Sequence, residues 1–339
     1  MNWNKSRVLV TGGTGFIGSH LVNRLLSLGA DITVVDHMYA GRPEEWRLRV
    51  NRYMESCKHH GVEPNPLIDI DLEYEKTRLE AVLRDKEIDT VFHLAAKFGG
   101  RGFVDVQQAE CSAMLSIDHN VVDASYRCGV DRLHYASSAC VYPRSLQANS
   151  EYLLKEDDVL STGDGWESSD NLYGFAKLMG ELQLRVYHKE HGMKTSTCRY
   201  LTVYGVGQLD ESHAIATLIG KAVRREDPYI VWGSGNQERG FTYVTDIVEG
   251  TILATERITD ATPINLGWDK RYKIRDVASK ILGISDHKPK QIIFDRSKPE
   301  GPFSRALDIT RARRMLGWEP KIDLDEGLRR TIAWRAGIA

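Results

Sequence analysis

Arg7-Val8-Leu9-Val10-Thr11-Gly12-Gly13-Thr14-Gly15-Phe16-Ile17-Gly18 runs from a β-branched apolar stretch into a glycine-rich loop, and a helical pattern follows from Ser19 to Leu28. Strand, glycine loop and helix in this order form the context of a dinucleotide-binding turn. Glycines at 12, 15 and 18 permit the tight turn, let backbone N–H groups approach a pyrophosphate, and allow the helix to pack closely on the strand. Phe16 and Ile17 complete the cofactor-facing loop. A second strand, Asp31 to Val35, ends in Asp36, eighteen residues after Gly18. That acid is placed to hydrogen-bond a ribose diol and to repel a 2′-phosphate, so NAD is expected rather than NADP.

Working outward, His37 to Pro66 reads as a polar connection with one helix, and its His59-His60 pair has no third ligand at a metal-site spacing. Leu67 to Leu72 reads as a strand, with Asp71-Leu72 where an adenine ring would be capped; Asp71 could equally cap a helix starting near Glu75. Thr90 to Ala96 is a buried strand whose small last residues, Ala95 among them, suit a backbone passing close to a cofactor. An amphipathic helix over 107–128 precedes the strand Val130 to Ala136. The acidic, polar stretch from Pro143 to Ser169 suggests a surface excursion. A helix from Tyr173 to His191, starting at an Asp170-Asn171 cap, puts Tyr173 and Lys177 on one face.

Beyond Thr195 the alternation weakens. A strand is expected from Thr197 to Gly205, a helix from Ser212 to Arg225, and a hairpin from Tyr229–Gly233 and Gly235–Thr242. Helices over 246–256, 274–282, 308–318 and 324–334 and a short strand at 264–266 complete the chain. The expected fold is α/β: a Rossmann doubly wound parallel sheet with a smaller interleaved α/β substrate domain. Residues 1–200 plus about 236–262 would bind NAD, and about 201–235 plus 263–339 would bind the substrate.

The 339 residues are 42% apolar and 27% charged with a net charge of −2, which offers no basic excess for nucleic acid. Five widely spaced cysteines without a CxxC pair argue against a disulfide framework or a zinc site and suit a reducing cytosol. No leader pattern and no apolar run of about 18 residues appears, so neither secretion nor a membrane partner is expected.

The chemistry concentrates in Tyr135-Ala136-Ser137-Ser138-Ala139-Cys140-Val141-Tyr142-Pro143 and in Tyr173 with Lys177. A lysine ammonium one helical turn away and a nicotinamide charge stabilise a phenolate, so Tyr173 can take a hydroxyl proton while hydride leaves the carbon. Ser138 at the neighbouring strand end would hydrogen-bond the same oxygen. Cys140 is either packing or a catalytic thiol. The loop Phe98 to Phe103, with Gly99, Gly100 and Gly102, is either a surface loop or a shaped wall against a ligand.

On these residues the chain resembles the extended short-chain dehydrogenases/reductases acting on nucleotide sugars. Gly99-Gly100-Arg101-Gly102-Phe103, the Ser138-Ala139-Cys140 turn, Trp232-Gly233, Gln237 with Arg239, and Arg305 before Leu316-Gly317-Trp318 make it similar to the GDP-mannose 3,5-epimerase group. The resemblance implies a GDP- or UDP-hexose substrate and a closed redox cycle. C4 is transiently oxidised with NAD as hydride acceptor, the C3 and C5 protons become acidic, Cys140 removes one, and an acid on the other ring face returns one. The family's second acid/base is a lysine where this chain has His213; an asparagine near the diphosphate is here Thr202. Gly100, Arg101, Gly102, Trp232 and Gln237 would line the substrate, with Lys221, Arg239 and Arg305 as cations for its phosphates. Related dehydratases carry an Asp-Glu pair in place of Ala139-Cys140. A nucleotide-sugar dehydratase and a non-catalytic dinucleotide sensor are the alternative readings. The resemblance also implies a homodimer built from the helices near 107–128 and 173–190.

Overall fold

The computed structural model describes residues 1–37, 43–160 and 169–337. The first half alternates strand and helix: β1 (Arg7–Thr11), α1 (Phe16–Ser27), β2 (Asp31–Asp36), α2 (Pro43–His59), β3 (Ile68–Asp69), α3 (Lys76–Asp85), β4 (Thr90–His93), α4 (Arg101–Val104), α5 (Gln108–Arg127) and β5 (Arg132–Ser138). Then come α6 (Asn171–His191), β6 (Lys194–Tyr200), β7 (Val203–Tyr204), α7 (Ala214–Val223), β8 (Tyr229–Trp232), β9 (Glu238–Arg239), β10 (Thr242–Tyr243), α8 (Val244–Arg257) and β11 (Asp260–Leu266). The chain closes with β12 (Tyr272–Lys273), α9 (Ile274–Ile284), β13 (Ile292–Asp295), β14 (Ser304–Arg305), α10 (Thr310–Leu316) and α11 (Leu324–Gly337).

Seven strands form one sheet in the order β11-β6-β5-β4-β1-β2-β3, and every pairing in it is parallel. This is the doubly wound Rossmann order, extended by β11 on one edge. Such a sheet must be covered on both faces, and the alternation along β1 shows how. Val8 and Val10 pack with α1 residues Leu21 and Leu25 and α8 residues Val248 and Ile252. Leu9 packs on the other face with Leu79 and Leu83 of α3 and Val121 of α5. A separate core gathers Ile215 and Ile219 of α7, Val277 and Ile281 of α9, and Leu328 of α11. Strand β11 runs through the boundary expected at 262/263, so that cut falls inside the central sheet.

Three sequence expectations are corrected. The hairpin over 229–242 does not form: β8 pairs in parallel with β13, while β9 lies between β12 and β14. The Gly233 N–H donates to the Asp295 carbonyl at 2.8 Å, so the glycine segment serves a distant partner rather than a chain reversal. The strand expected from Thr197 to Gly205 is two strands. Thr202 takes a left-handed φ of 34°, turning the chain out of the central sheet so that β7 can pair with β10. The excursion from Pro143 is not superficial over its described part. Gln147, Leu154 and Glu156 are buried, and the Glu156 carboxylate accepts the Asn265 N–H at 3.0 Å. Residues 161–168 of that stretch lie outside the described residues.

Beneath β5 and β6, Arg199 and Glu181 form a fully buried bidentate ion pair, with Nε and Nη2 donating at 2.9 and 2.7 Å. Glu181 also accepts the Ser137 hydroxyl, tying α6 to β5. Removing one member leaves the other as an uncompensated charge. Glu181→Leu is therefore expected to cost about 3–5 kcal/mol, read as a fall in thermal midpoint; an unchanged midpoint would show that the pair does not secure this helix.

Candidate active site

The cofactor side is built at the carboxyl ends of β1, β2 and β4. Gly12 has φ +69°, and a methyl group there would lie 2.9 Å from the Ala95 nitrogen. At Gly18 a methyl would lie 2.1 Å from the Gly12 carbonyl oxygen. Helix α1 starts at Phe16 with Gly15 as its N-cap and, among the described residues, no side-chain cap, so its first amides point toward an anion site. Phe16 and Ile17 are half-buried at this helix start. Asp36 is pinned across the loop: Oδ2 accepts the Thr14 N–H at 3.0 Å and its hydroxyl at 2.6 Å, and Oδ1 accepts the His37 N–H. Leu72 is buried, and Asp71 is half-buried with its carboxylate accepting the Glu73 N–H at 2.9 Å. The second reading of Asp71 is thereby corrected, because α3 is capped at Glu75 without a side-chain bond. A close-packed glycine cradle, an open helix N-terminus and an oriented acid fit an NAD molecule.

The reacting side lies at the end of β5. Ser138 caps a 3₁₀ turn over Ala139–Val141, its hydroxyl accepting the Cys140 N–H at 3.1 Å. Helix α6 lies directly against this turn: the Asp170 N–H donates to the Cys140 carbonyl at 2.9 Å, and a methyl at Gly174 would stand 2.1 Å from that oxygen. Tyr173 is thereby brought close enough to Ser138 for that hydroxyl to draw its phenol's ionisation down. Lys177 is buried, donates to the Ala136 carbonyl at 2.8 Å and sits 4.7 Å from the centre of the Tyr135 ring.

Burial dominates the ionisation of the set. It raises the Tyr173 phenol, and Cys140 adds to this while the Ser138 hydrogen bond opposes it. It lowers the Lys177 ammonium, chiefly against Asp118. The Cys140 thiol is raised by burial and then by Asp170, against Arg305, Ser138 and Arg101. Asp118 belongs to a buried chain absent from the sequence reading. Its carboxylate meets His93 Nε2 at 3.0 Å and accepts the Tyr135 hydroxyl at 2.6 Å, while His93 Nδ1 meets the Thr11 hydroxyl at 2.8 Å.

The expected substrate residues divide. Arg101, Arg144 and Arg305 all pair with the fully buried Asp170, whose carboxyl they hold far below the usual range against its burial. Asp170 sits at the expected helix cap, but its side chain goes to these arginines rather than to the helix. Arg239 lies beside them, its guanidinium pushed down to about 9 by burial and by Arg305. Gly100 packs so tightly that a methyl would fall 1.7 Å from the Ser212 carbonyl oxygen, joining the loop to the start of α7; Gly102 is exposed, with no protein atom within 4 Å of such a methyl. His213, the residue before α7, is half-buried, 6.5 Å ring to ring from Phe98 and 3.2 Å from the Ser212 hydroxyl. Trp232 is exposed with Lys298 over its ring, and Gln237 donates to its carbonyl at 3.2 Å while its own buried Oε1 has no partner among the described residues. Lys221 is engaged away from the arginines, donating to the Ile230 carbonyl at 2.7 Å. Thr202 is half-buried at the β6–β7 break.

Residues 8–267 match the model of the NAD dependent epimerase/dehydratase family. The chain is 31% identical over 338 residues to GDP-mannose 3,5-epimerase 1 of Oryza sativa subsp. indica, covering 97% of this chain and 82% of that protein. It is 30% identical over 340 residues to the UDP-N-acetyl-alpha-D-glucosaminuronate decarboxylase of Bacillus cytotoxicus, covering 97% and 98%. The crystal structure of UDP-glucuronic acid 4-epimerase from Bacillus cereus in complex with UDP-glucuronic acid and NAD superposes with a TM-score of 0.80 at 27% identity, covering 98% of this chain and all of that one.

Gly18→Ala is expected to push the loop off the helix start and weaken NAD binding by about tenfold or more in calorimetric titration. Unaltered affinity would remove this loop from cofactor binding.

Proposed function

The chain belongs to the NAD dependent epimerase/dehydratase family, and on that premise we propose that it is a nucleotide-sugar epimerase of the GDP-mannose 3,5-epimerase kind. The observation that carries the reading is the placement of Cys140. The thiol stands two residues beyond Ser138, on a turn whose carbonyl touches the helix bearing Tyr173 and Lys177. A group for hydroxyl deprotonation and a group for carbon deprotonation thus share one site.

NAD, when bound, supplies reversible hydride acceptance at C4. Tyr173 takes the C4 hydroxyl proton, Ser138 hydrogen-bonds that oxygen, and Lys177 favours the phenolate. Next to the resulting ketone, a proton at C3 or C5 is acidic enough for the Cys140 thiolate, which takes it and becomes a neutral thiol. His213 serves as the second proton carrier; burial lowers its imidazole below the usual value, against Asp210, so near neutral pH it rests uncharged and ready to accept a proton. Gly12, Gly15, Phe16, Ile17, Gly18, Asp36, Asp71, Leu72 and Ala95 would hold the cofactor. Residues 1–200 plus about 236–266 would form the NAD-binding part, and about 201–235 plus 267–339 would bind the GDP- or UDP-hexose. Exposed Tyr126 on α5 and Val186 on α6 support a homodimer across those helices. Among the described residues no helix is long and apolar enough to cross a membrane, and the five cysteines are free, which supports a cytosolic assignment.

Incubation with GDP- and UDP-hexoses in deuterated water tests the reading. Deuterium at C3 or C5 with the 6-hydroxyl retained is expected; loss of water would favour a dehydratase, and no exchange in NAD-loaded protein a sensor. Cys140→Ala is expected to keep NAD and lose exchange by about 100-fold or more. Full exchange in that variant would take the thiol out of the chemistry.

A further inference from the structure

The sequence places Arg305 among the phosphate-binding cations, but its guanidinium is already engaged on three sides. Nε donates to Gln147 Oε1 at 2.5 Å, Nη2 to the Asp170 carboxylate, and Nη1 to Cys140 Sγ at 3.4 Å. A planar, rigid group held by two partners has its remaining edge aimed by them. Both partners are themselves anchored to the turn that carries the thiol. Gln147 Nε2 donates to the Tyr142 and Pro143 carbonyls at 3.0 and 3.1 Å, and the Asp170 N–H donates to the Cys140 carbonyl. Arg239 differs: it donates to the main-chain carbonyls of Glu238, Glu300 and Phe303, and among the described residues it has no carboxylate partner.

We propose that Arg305 serves the Cys140 sulfur rather than the substrate's phosphates, with Gln147 and Asp170 as positioning residues. The proposal rests on the reading of Cys140 as a proton carrier. Among the described residues, Arg305 of β14 touches the sulfur, and Arg101 of α4, Arg239 of β9 and Lys177 of α6 interact with it electrostatically. Opposing them among the described residues is the Asp170 carboxylate, and the uncharged Tyr173 and Cys111 also interact with Cys140. Burial and Asp170 hold the thiol up, and Arg305 leads the groups that draw it down. Removing Arg305 must therefore raise the pH at which the thiolate forms. A phosphate ligand would leave that pH unmoved and weaken nucleotide binding instead.

The test uses full-length, NAD-loaded protein, with the rate of iodoacetamide alkylation at Cys140 followed by peptide mass across pH, beside calorimetric titration with GDP and UDP. In Arg305→Met the inflection is expected to rise by about one unit or more, slowing alkylation about tenfold at pH 8, with nucleoside diphosphate affinity held within about threefold. Arg239→Met is expected to lose nucleoside diphosphate affinity about tenfold while raising the inflection by less than Arg305→Met does. Gln147→Met alters no charge, so its inflection rises only if it acts through Arg305, and this variant decides the matter if Arg305→Met does not fold. An unmoved inflection, or a tenfold loss of GDP and UDP affinity in Arg305→Met with alkylation unchanged, overturns the proposal. Failure of the underlying reading shows separately, as full deuterium exchange in Cys140→Ala.

Discussion

Everything in the candidate site depends on the contact between α6 and the end of β5. Two glycines of the helix, Gly174 and Gly180, face the Cys140 carbonyl and the Tyr135 ring so closely that a methyl on either would lie within 2.4 Å of them. The backbone can come this near only where no side chain intervenes. With the helix seated there, Tyr173 reaches Ser138, Lys177 reaches the Ala136 carbonyl, and Asp170 closes onto the cysteine turn. The buried Arg199–Glu181 pair secures the same helix farther along.

Burial makes this site costly to charge and therefore sensitive to its neighbours. In a low-dielectric setting the thiol, phenol and ammonium are all pushed toward their neutral forms, and each is answered by a specific group. Asp118 supports Lys177, Ser138 supports Tyr173, and Arg305 supports Cys140. Asp118 is held by His93, which in turn meets Thr11 at the start of the glycine loop. Through the Tyr135 hydroxyl on Asp118 and the Lys177 ammonium over the Tyr135 ring, a continuous buried chain joins the cofactor loop to Lys177, and positions are set before a ligand binds.

Local patterns were enough to read the glycine loop, Asp36 and the Tyr173–Lys177 face, because each depends on spacings of a few residues within one strand–helix unit. The hairpin expected over 229–242 is absent for the opposite reason. Its glycines do not make a reversal, and the partners of β8 and β9 lie at 292–295, 272–273 and 304–305, beyond the reach of a local turn rule. The stretch after Pro143 looked superficial because it is polar, yet its buried Gln147 and Glu156 are paired with Arg305 and Asn265.

The sequence by itself determined the parallel α/β order, the preference for NAD and the residue types present around Ser138 and Tyr173, since periodicity and motif spacing are properties of adjacent residues. Only the tertiary structure decided what each charged group faces. Arg305 stands 165 positions from Cys140 yet donates to its sulfur, and Asp170, an ordinary helix cap in sequence, gathers three arginines. Electrostatics act through distance in space and are amplified by burial, and neither quantity is written in the order of the chain.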